Sequence, residues 1–129
     1  MSTLRTNALE GVDAKNSITI VAGAGNITTT NVEQGLTKAW ADFSTSSGNT
    51  INGSFNIGSI TDIGTGDVYL NYTNNMNDVH YSGQANAAAV ALHFNDDQAT
   101  NRQRCRAYSD LSTNADGSHR YFLCAGDLA

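Results

Sequence analysis

Charge is scarce in this chain of 129 residues: Asp, Glu, Lys and Arg together make up only 15%, and Lys15 and Lys38 are its two lysines. The net charge is -5 and the pI near 4.8, so the dense basic patch that a nucleic-acid surface needs is absent. No apolar run approaches the roughly 20 residues that span a bilayer, which argues against membrane insertion. The N-terminus lacks the basic start and apolar stretch of a signal peptide, and secretion by that route is not expected. Aromatic side chains are missing altogether from residues 1–32. That stretch cannot build its own core.

The signatures of catalysis are equally thin. His80, His93 and His119 fall in separate segments without the spacing of a metal-binding pair. In "AGAGN" Gly23 and Gly25 are followed by Thr28 where a dinucleotide fingerprint needs its third glycine. The pairs Asp96 and Asp97, and Asp62 and Asp67, do not follow the alternating oxygen donors of a calcium loop. Turn chemistry accounts for both pairs. The expectation is a protein that is not an enzyme and carries no cofactor or metal.

What the chain has in abundance is Asn, Thr, Ser and Gly. These residues compete with the helical backbone for hydrogen bonds and favour strands and turns. Length suits one domain, able to bury about 65–70% of its unfolded surface. "NSITIVAGAGN" predicts one short strand, with Ile18, Ile20 and Ala22 on one face and Thr19 and Val21 on the other. Such a segment needs a cover, and it is read as a flexible arm, an edge strand, or a piece packing on copies of itself.

From residue 33 short strands follow one another with turn signals between them, as in a sandwich or barrel. "EQGLTKAW" opens with a brief helical turn, after which Ala39, Ala41 and Phe43 alternate with Trp40 and Asp42. Asn52-Gly53 predicts a tight turn. Phe55 and Ile57 then share a face. "SITDIGTGDVYLNY" reads as two antiparallel runs reversed by Asp62, Gly64, Gly66 and Asp67, with Val68, Leu70 and Tyr72 on one face and Tyr69 and Asn71 on the other. "VHYSGQA" and "AAVALHF" are further strands.

The final stretch, "RQRCRAYSDLSTNADGSHRYFLCAGD", reads as a hairpin of two alternating runs. Centred between Asn114 and Ala115, it sets Cys105 directly opposite Cys124, within or near disulfide range. The other reading is two small buried thiols. On the same hairpin Arg102, Arg104 and Arg106 share one strand face. This stripe either holds an anionic partner or is a solvated face that protects a strand edge.

The segments "EQGLTKAWADF", "SFNIGSITDIGTGDVYLNYTNNM" and "CAGD" resemble a recurrent module of tail-fibre and related virion proteins from marine and cyanobacterial phages. The opening "STLRTNALEGVDAKNSITI" is similar to the segment that precedes this module, where copies associate as trimers. The resemblance implies a virion protein assembled in the host cytoplasm, with residues 1–32 as an oligomerisation and attachment arm. Residues 33–129 are then an antiparallel, jelly-roll-like β-sandwich. It implies a homotrimer bound to other tail or capsid proteins, as a fibre, tip, knob or decoration. Where host glycans are recognised, Trp40, Tyr69 or Tyr72 would stack on sugar faces. A monomeric carbohydrate-binding module and a small hydrolase are the rival classes.

Overall fold

The computed structural model describes residues 19–21, 29–31, 36–87, 92–110, 112–126 and 128–129. The described residues contain ten strands and no helix: β1 (Thr19–Val21), β2 (Thr29–Asn31), β3 (Thr37–Ser44), β4 (Thr50–Phe55), β5 (Ile57–Gly64), β6 (Asp67–Tyr72), β7 (Ser82–Ala87), β8 (Leu92–Ala99), β9 (Arg102–Tyr108) and β10 (Arg120–Ala125). The chain divides into two units, Met1–Leu36 and Thr37–Ala129. In the first unit β1 pairs antiparallel with β2, a partner strand that the sequence pattern does not reveal. The helical turn expected from "EQGLTKAW" begins outside the described residues.

The second unit is all-β, with two four-stranded antiparallel sheets ordered β4-β3-β10-β7 and β5-β6-β9-β8. The pairs β3–β4, β5–β6 and β8–β9 are hairpins closed within one sheet. The order therefore differs from the interleaved Greek keys of the expected jelly roll. Alternation along much of β3, β6, β9 and β10 sends one set of side chains inward from each sheet. Ala39, Ala41 and Phe43 from β3 and Phe122 and Cys124 from β10 meet Ile57 of β5, Val68, Leu70 and Tyr72 of β6 and Cys105 of β9 in a single buried cluster. Met76 and Tyr81, from the long β6–β7 connection, close it.

The hairpin in "SITDIGTGDVYLNY" is as expected, with β5 and β6 antiparallel and the chain reversed at Thr65-Gly66. Three other expectations need correction. Asn52-Gly53 is not a turn but lies within β4, where a register shift sets Asp42 against Gly53 and Phe43 against Ile51, so that Asn52 is the extra residue of a bulge. The turn itself comes earlier, at Gly48 with φ of 98°. Phe55 and Ile57 do not share a face: Asn56, at φ 58°, carries the chain from one sheet to the other. Phe55 is 51% exposed while Ile57 is 6% exposed. Asn56 holds this corner by donating to the Asn74 carbonyl at 3.0 Å and accepting from the Asn74 amide at 2.7 Å.

The third correction concerns the last hairpin. β9 lies between β6 and β8, and β10 between β3 and β7, so the two runs never pair. Cys105 stands opposite Val68 and Asn95, and Cys124 opposite Ala39 and Gly83. Both remain buried thiols. Burial pushes the Cys124 thiol up to about 11, leaving almost no thiolate at neutral pH, and the thiolate is the reactive form. The native protein at pH 7 is therefore expected to resist Ellman's reagent for hours and to yield two thiols when unfolded in guanidinium. Fewer than two thiols in the unfolded, unreduced protein, confirmed by intact mass, would contradict the structure.

Candidate functional site

The first sheet presents an outer face whose composition is unusual for a solvated strand exterior. Register places Phe55, Trp40, Leu123 and Gln84 in one row across all four strands, and Gly53, Asp42, Tyr121 and Asn86 in the next. At about 4.8 Å between strands, each row spans about 14 Å. Trp40 is 42% exposed, Tyr121 48% and Leu123 50%. These side chains face outward because their neighbours Ala39, Ala41, Phe122 and Cys124 take the inward positions.

Gly53 has a specific part in this face. A Cβ there would stand 3.5 and 3.6 Å from two carbons of the Trp40 benzo ring, ordinary contact distance, so the indole lies across β4 at this position. Asp42 accepts from the Asn52 amide at 3.3 Å, and its carboxylate lies 3.8 Å from the His119 ring nitrogen. His119 stacks on Tyr121 with centroids 6.5 Å apart and planes 11° apart. Trp40, Asp42, Gln84, Asn86, Tyr121 and Leu123 line a shallow groove of about 660 Å³. Large apolar side chains left facing water, with a few polar groups beside them, mark an interaction site more often than a structural surface.

The second sheet carries the arginine stripe on its own outer face. Arg102, Arg104 and Arg106 alternate along β9 with the buried Gln103, Cys105 and Ala107, as the sequence predicts. The structure adds their counter-charges. Asp67 on neighbouring β6 accepts two bonds from Arg104, at 3.0 and 2.6 Å, and also lies 3.9 Å from Arg106. Arg102 lies 3.9 Å above the Tyr69 ring centroid and 4.0 Å from Asp97. The Tyr69 hydroxyl donates to Asp97 at 2.7 Å, which raises its pKa above the ordinary phenol value. A fork-on-carboxylate pair and a cation over an aromatic face are internal braces across β6 and β9. Much of the stripe's charge is thus answered within the sheet.

Tyr72 does not belong on either surface. It is 8% exposed and packs edge-on against Tyr81 at 5.8 Å, inside the cluster that the alternation of β6 assigns to Val68 and Leu70. Burial drives its hydroxyl well above the ordinary range. Tyr72 is a core residue, not the ligand-stacking side chain that the sequence suggests.

The loop between β5 and β6 borders a smaller cleft of about 290 Å³ together with Thr45, Ser46, Asn49 and Asp116. Its carboxylates already serve the backbone: Asp62 accepts from the Gly64 amide at 3.1 Å and Asp116 from the Gly66 amide at 2.7 Å. The histidines lie on separate segments. His80 sits in the β6–β7 connection, His93 on β8 and His119 just before β10. Among the described residues, no three His, Cys, Asp or Glu side chains converge as metal ligands.

Of the residues that sequence reasoning put forward for binding, Trp40 lies at the centre of the first face and Tyr69, Arg102, Arg104 and Arg106 lie on the second. Phe55, Tyr121, Leu123, Gln84 and Asn86 were missed. Their alternation with buried neighbours predicts exposure of Tyr121 and Leu123, but only the strand register brings all five beside Trp40. No family model, curated protein or solved structure matches the chain.

Proposed function

We propose that this chain is a non-enzymatic structural protein of a bacteriophage virion, displaying a surface for adhesion to the host. In this reading residues 1–32 hold it on tail or capsid as a homotrimer. Residues 33–129 are an exposed β-sandwich, the two sheets closing over one apolar cluster. The observation that carries the reading is the outward row Phe55, Trp40 and Leu123 on the first sheet. A solvated sheet exterior ordinarily carries polar side chains at such positions. The residues that carry the resemblance to phage fibre modules support it, since Lys38–Trp40 leads into this row and Asp62–Asp67 builds the β5–β6 turn. The β1–β2 pairing in the first unit fits an associating arm, because a two-stranded ribbon on its own is at best marginally stable. Three linked copies would turn a weak contact at each outer face into useful avidity.

The test has three arms. Light scattering on the full chain is expected to give three times the monomer mass, and deletion of residues 1–32 to give the monomer. A tag on this chain is expected to label purified particles. The soluble full chain is expected to block phage adsorption, and the Trp40→Ser, Leu123→Ser double variant to remain trimeric yet lose that block. A monomer at micromolar concentration would remove the trimer. Particles that carry no label would remove the virion assignment.

A further inference from the structure

We infer that the outer face of the first sheet binds an uncharged oligosaccharide, laid across the strands with sugar rings against Trp40 and Tyr121. The inference rests on the reading of this face as the adhesion surface, and three observations select the ligand. The first is size. At about 660 Å³, this groove falls among the roughly 300–1,000 Å³ sites that hold small ligands.

The second is the mixture of groups. Trp40 and Tyr121 are amphipathic rings, exposed on adjacent rows and adjacent strands. Beside them, Gln84 and Asn86 on the edge strand β7 and Asp42 on β3 supply amide and carboxylate groups along the same two rows. A pyranose has the matching pair of surfaces: an apolar face of C–H bonds for a ring, and a rim of hydroxyls that both donate and accept. A purely apolar ligand would strip water from the amides and Asp42 and offer nothing in its place, leaving Asp42 only its bond from Asn52 and Asn86 only its bond from the Ala87 amide, at a cost for each.

The third is charge. Among the described residues lining the groove, Asp42 is the one charged side chain, and neither lysine nor arginine is present. An anionic glycan would bring its carboxylate or sulfate towards Asp42 with no lysine or arginine in the groove to receive it. The arginines that would suit such a ligand stand on the other sheet, braced to Asp67 and Asp97. The groove therefore takes neutral sugars.

Trp40 is the single tryptophan of the chain, so its emission reports on this groove alone. The full chain would be titrated with cellotetraose, maltotetraose, mannotetraose and chitotetraose, and with a heparin tetrasaccharide and a sialic acid tetramer. At least one neutral tetrasaccharide is expected to change Trp40 emission saturably, with an affinity that 0.5 M NaCl leaves within about twofold, since no ion pair contributes. By calorimetry, Trp40→Ala is expected to weaken that binding by at least about tenfold. Asn86→Ala, on an exposed edge position, is expected to weaken it severalfold with unchanged thermal unfolding. Three results would overturn the inference: no response to any neutral sugar, tighter binding of the anionic pair, or a Trp40 signal that varies with protein concentration alone, which would mark the face as a contact between copies. If the soluble chain blocks adsorption while every neutral sugar is silent, the oligosaccharide is wrong and the adhesion reading stands. If neither occurs, both fall.

Discussion

Replacing Gly66 by alanine is expected to lower the unfolding free energy by about 2–5 kcal/mol, a large share of the roughly 5–15 kcal/mol that keeps an ordinary domain folded. Gly66 has φ of 67°, a conformation that costs a residue with a Cβ about 1–2 kcal/mol. The larger problem is space: a Cβ would stand 2.5 Å from the Ala115 carbonyl oxygen, 2.7 Å from the Ala115 nitrogen and 2.8 Å from the Ala107 carbonyl oxygen. All three are backbone atoms, and none has a flexible side chain to move aside. They are also tied to one another, because the Ala107 amide donates to the Gly66 carbonyl and the Ala115 amide to the Ala107 carbonyl, both at 2.9 Å. Opening room for a methyl group would therefore break bonds linking the β5–β6 turn to β9 and the segment before β10. Overpacking of this kind costs about 1–3 kcal/mol more.

Gly64, two residues earlier in the same turn, is the control. A Cβ there meets nothing within 4 Å, so Gly64→Ala is expected to stay within about 0.5 kcal/mol of the parent. Urea unfolding followed by Trp40 emission compares the two variants directly. A Gly66→Ala protein as stable as Gly64→Ala would mean that residues 107 and 115 do not close on the turn as described.

The same turn shows what the sequence makes legible. In "SITDIGTGDVYLNY" period-two alternation, a two-residue reversal and the partner strand all lie within 14 residues, so local pattern and tertiary pairing agree. Alternation was right elsewhere about which residues face inward: Ala39, Ala41 and Phe43 do, as do Cys105 and Cys124. Which strand lies beside which is another matter. β9 and β10 look like a hairpin because they are consecutive and alternate, but β10 finds both neighbours, β3 and β7, far along the chain, while β9 pairs with β8 just before it and with the distant β6. Nothing local encodes that choice, since it is made by closing a common core. Asn52-Gly53 misled for a related reason. The pair suits a turn, yet Gly53 is used as the floor beneath the Trp40 ring and Asn52 as a bulge. The candidate site divides in the same way: Trp40 and the arginine stripe are visible in the sequence, while Tyr121, Leu123, Phe55 and the counter-charges Asp67 and Asp97 arrive only through register.

Arg120 is the residue for which composition gives the poorest guide. Arginine is seldom fully buried, yet Arg120 has 0% exposure at an inward position of β10. Its guanidinium donates to the Cys105 carbonyl at 3.1 Å and lies 5.0 Å from the Phe43 ring centroid. The bond to Cys105 joins β10 of one sheet to β9 of the other. Burial lowers the guanidinium pKa, and the charges of Asp116 and Asp67 oppose that shift. The side chain thus acts as a strut between sheets, with a hydrocarbon stem that also fills core volume.

Two substitutions separate these contributions. Arg120→Ala is expected to cost about 3–5 kcal/mol, since it removes the strut and leaves a cavity. Arg120→Met keeps most of the volume and removes the charge, so its cost, about 1–3 kcal/mol, reports the polar side of the strut, including the bond to the Cys105 carbonyl and the cation beside Phe43. Its partners are not left as bare buried charges, because Asp67 keeps Arg104 at 2.6 Å and Asp116 keeps the Gly66 amide at 2.7 Å. Equilibrium unfolding of both variants beside the parent gives the two numbers. If alanine costs no more than methionine, packing of the stem counts for nothing. If alanine costs less than about 1 kcal/mol, Arg120 is not the strut between the sheets.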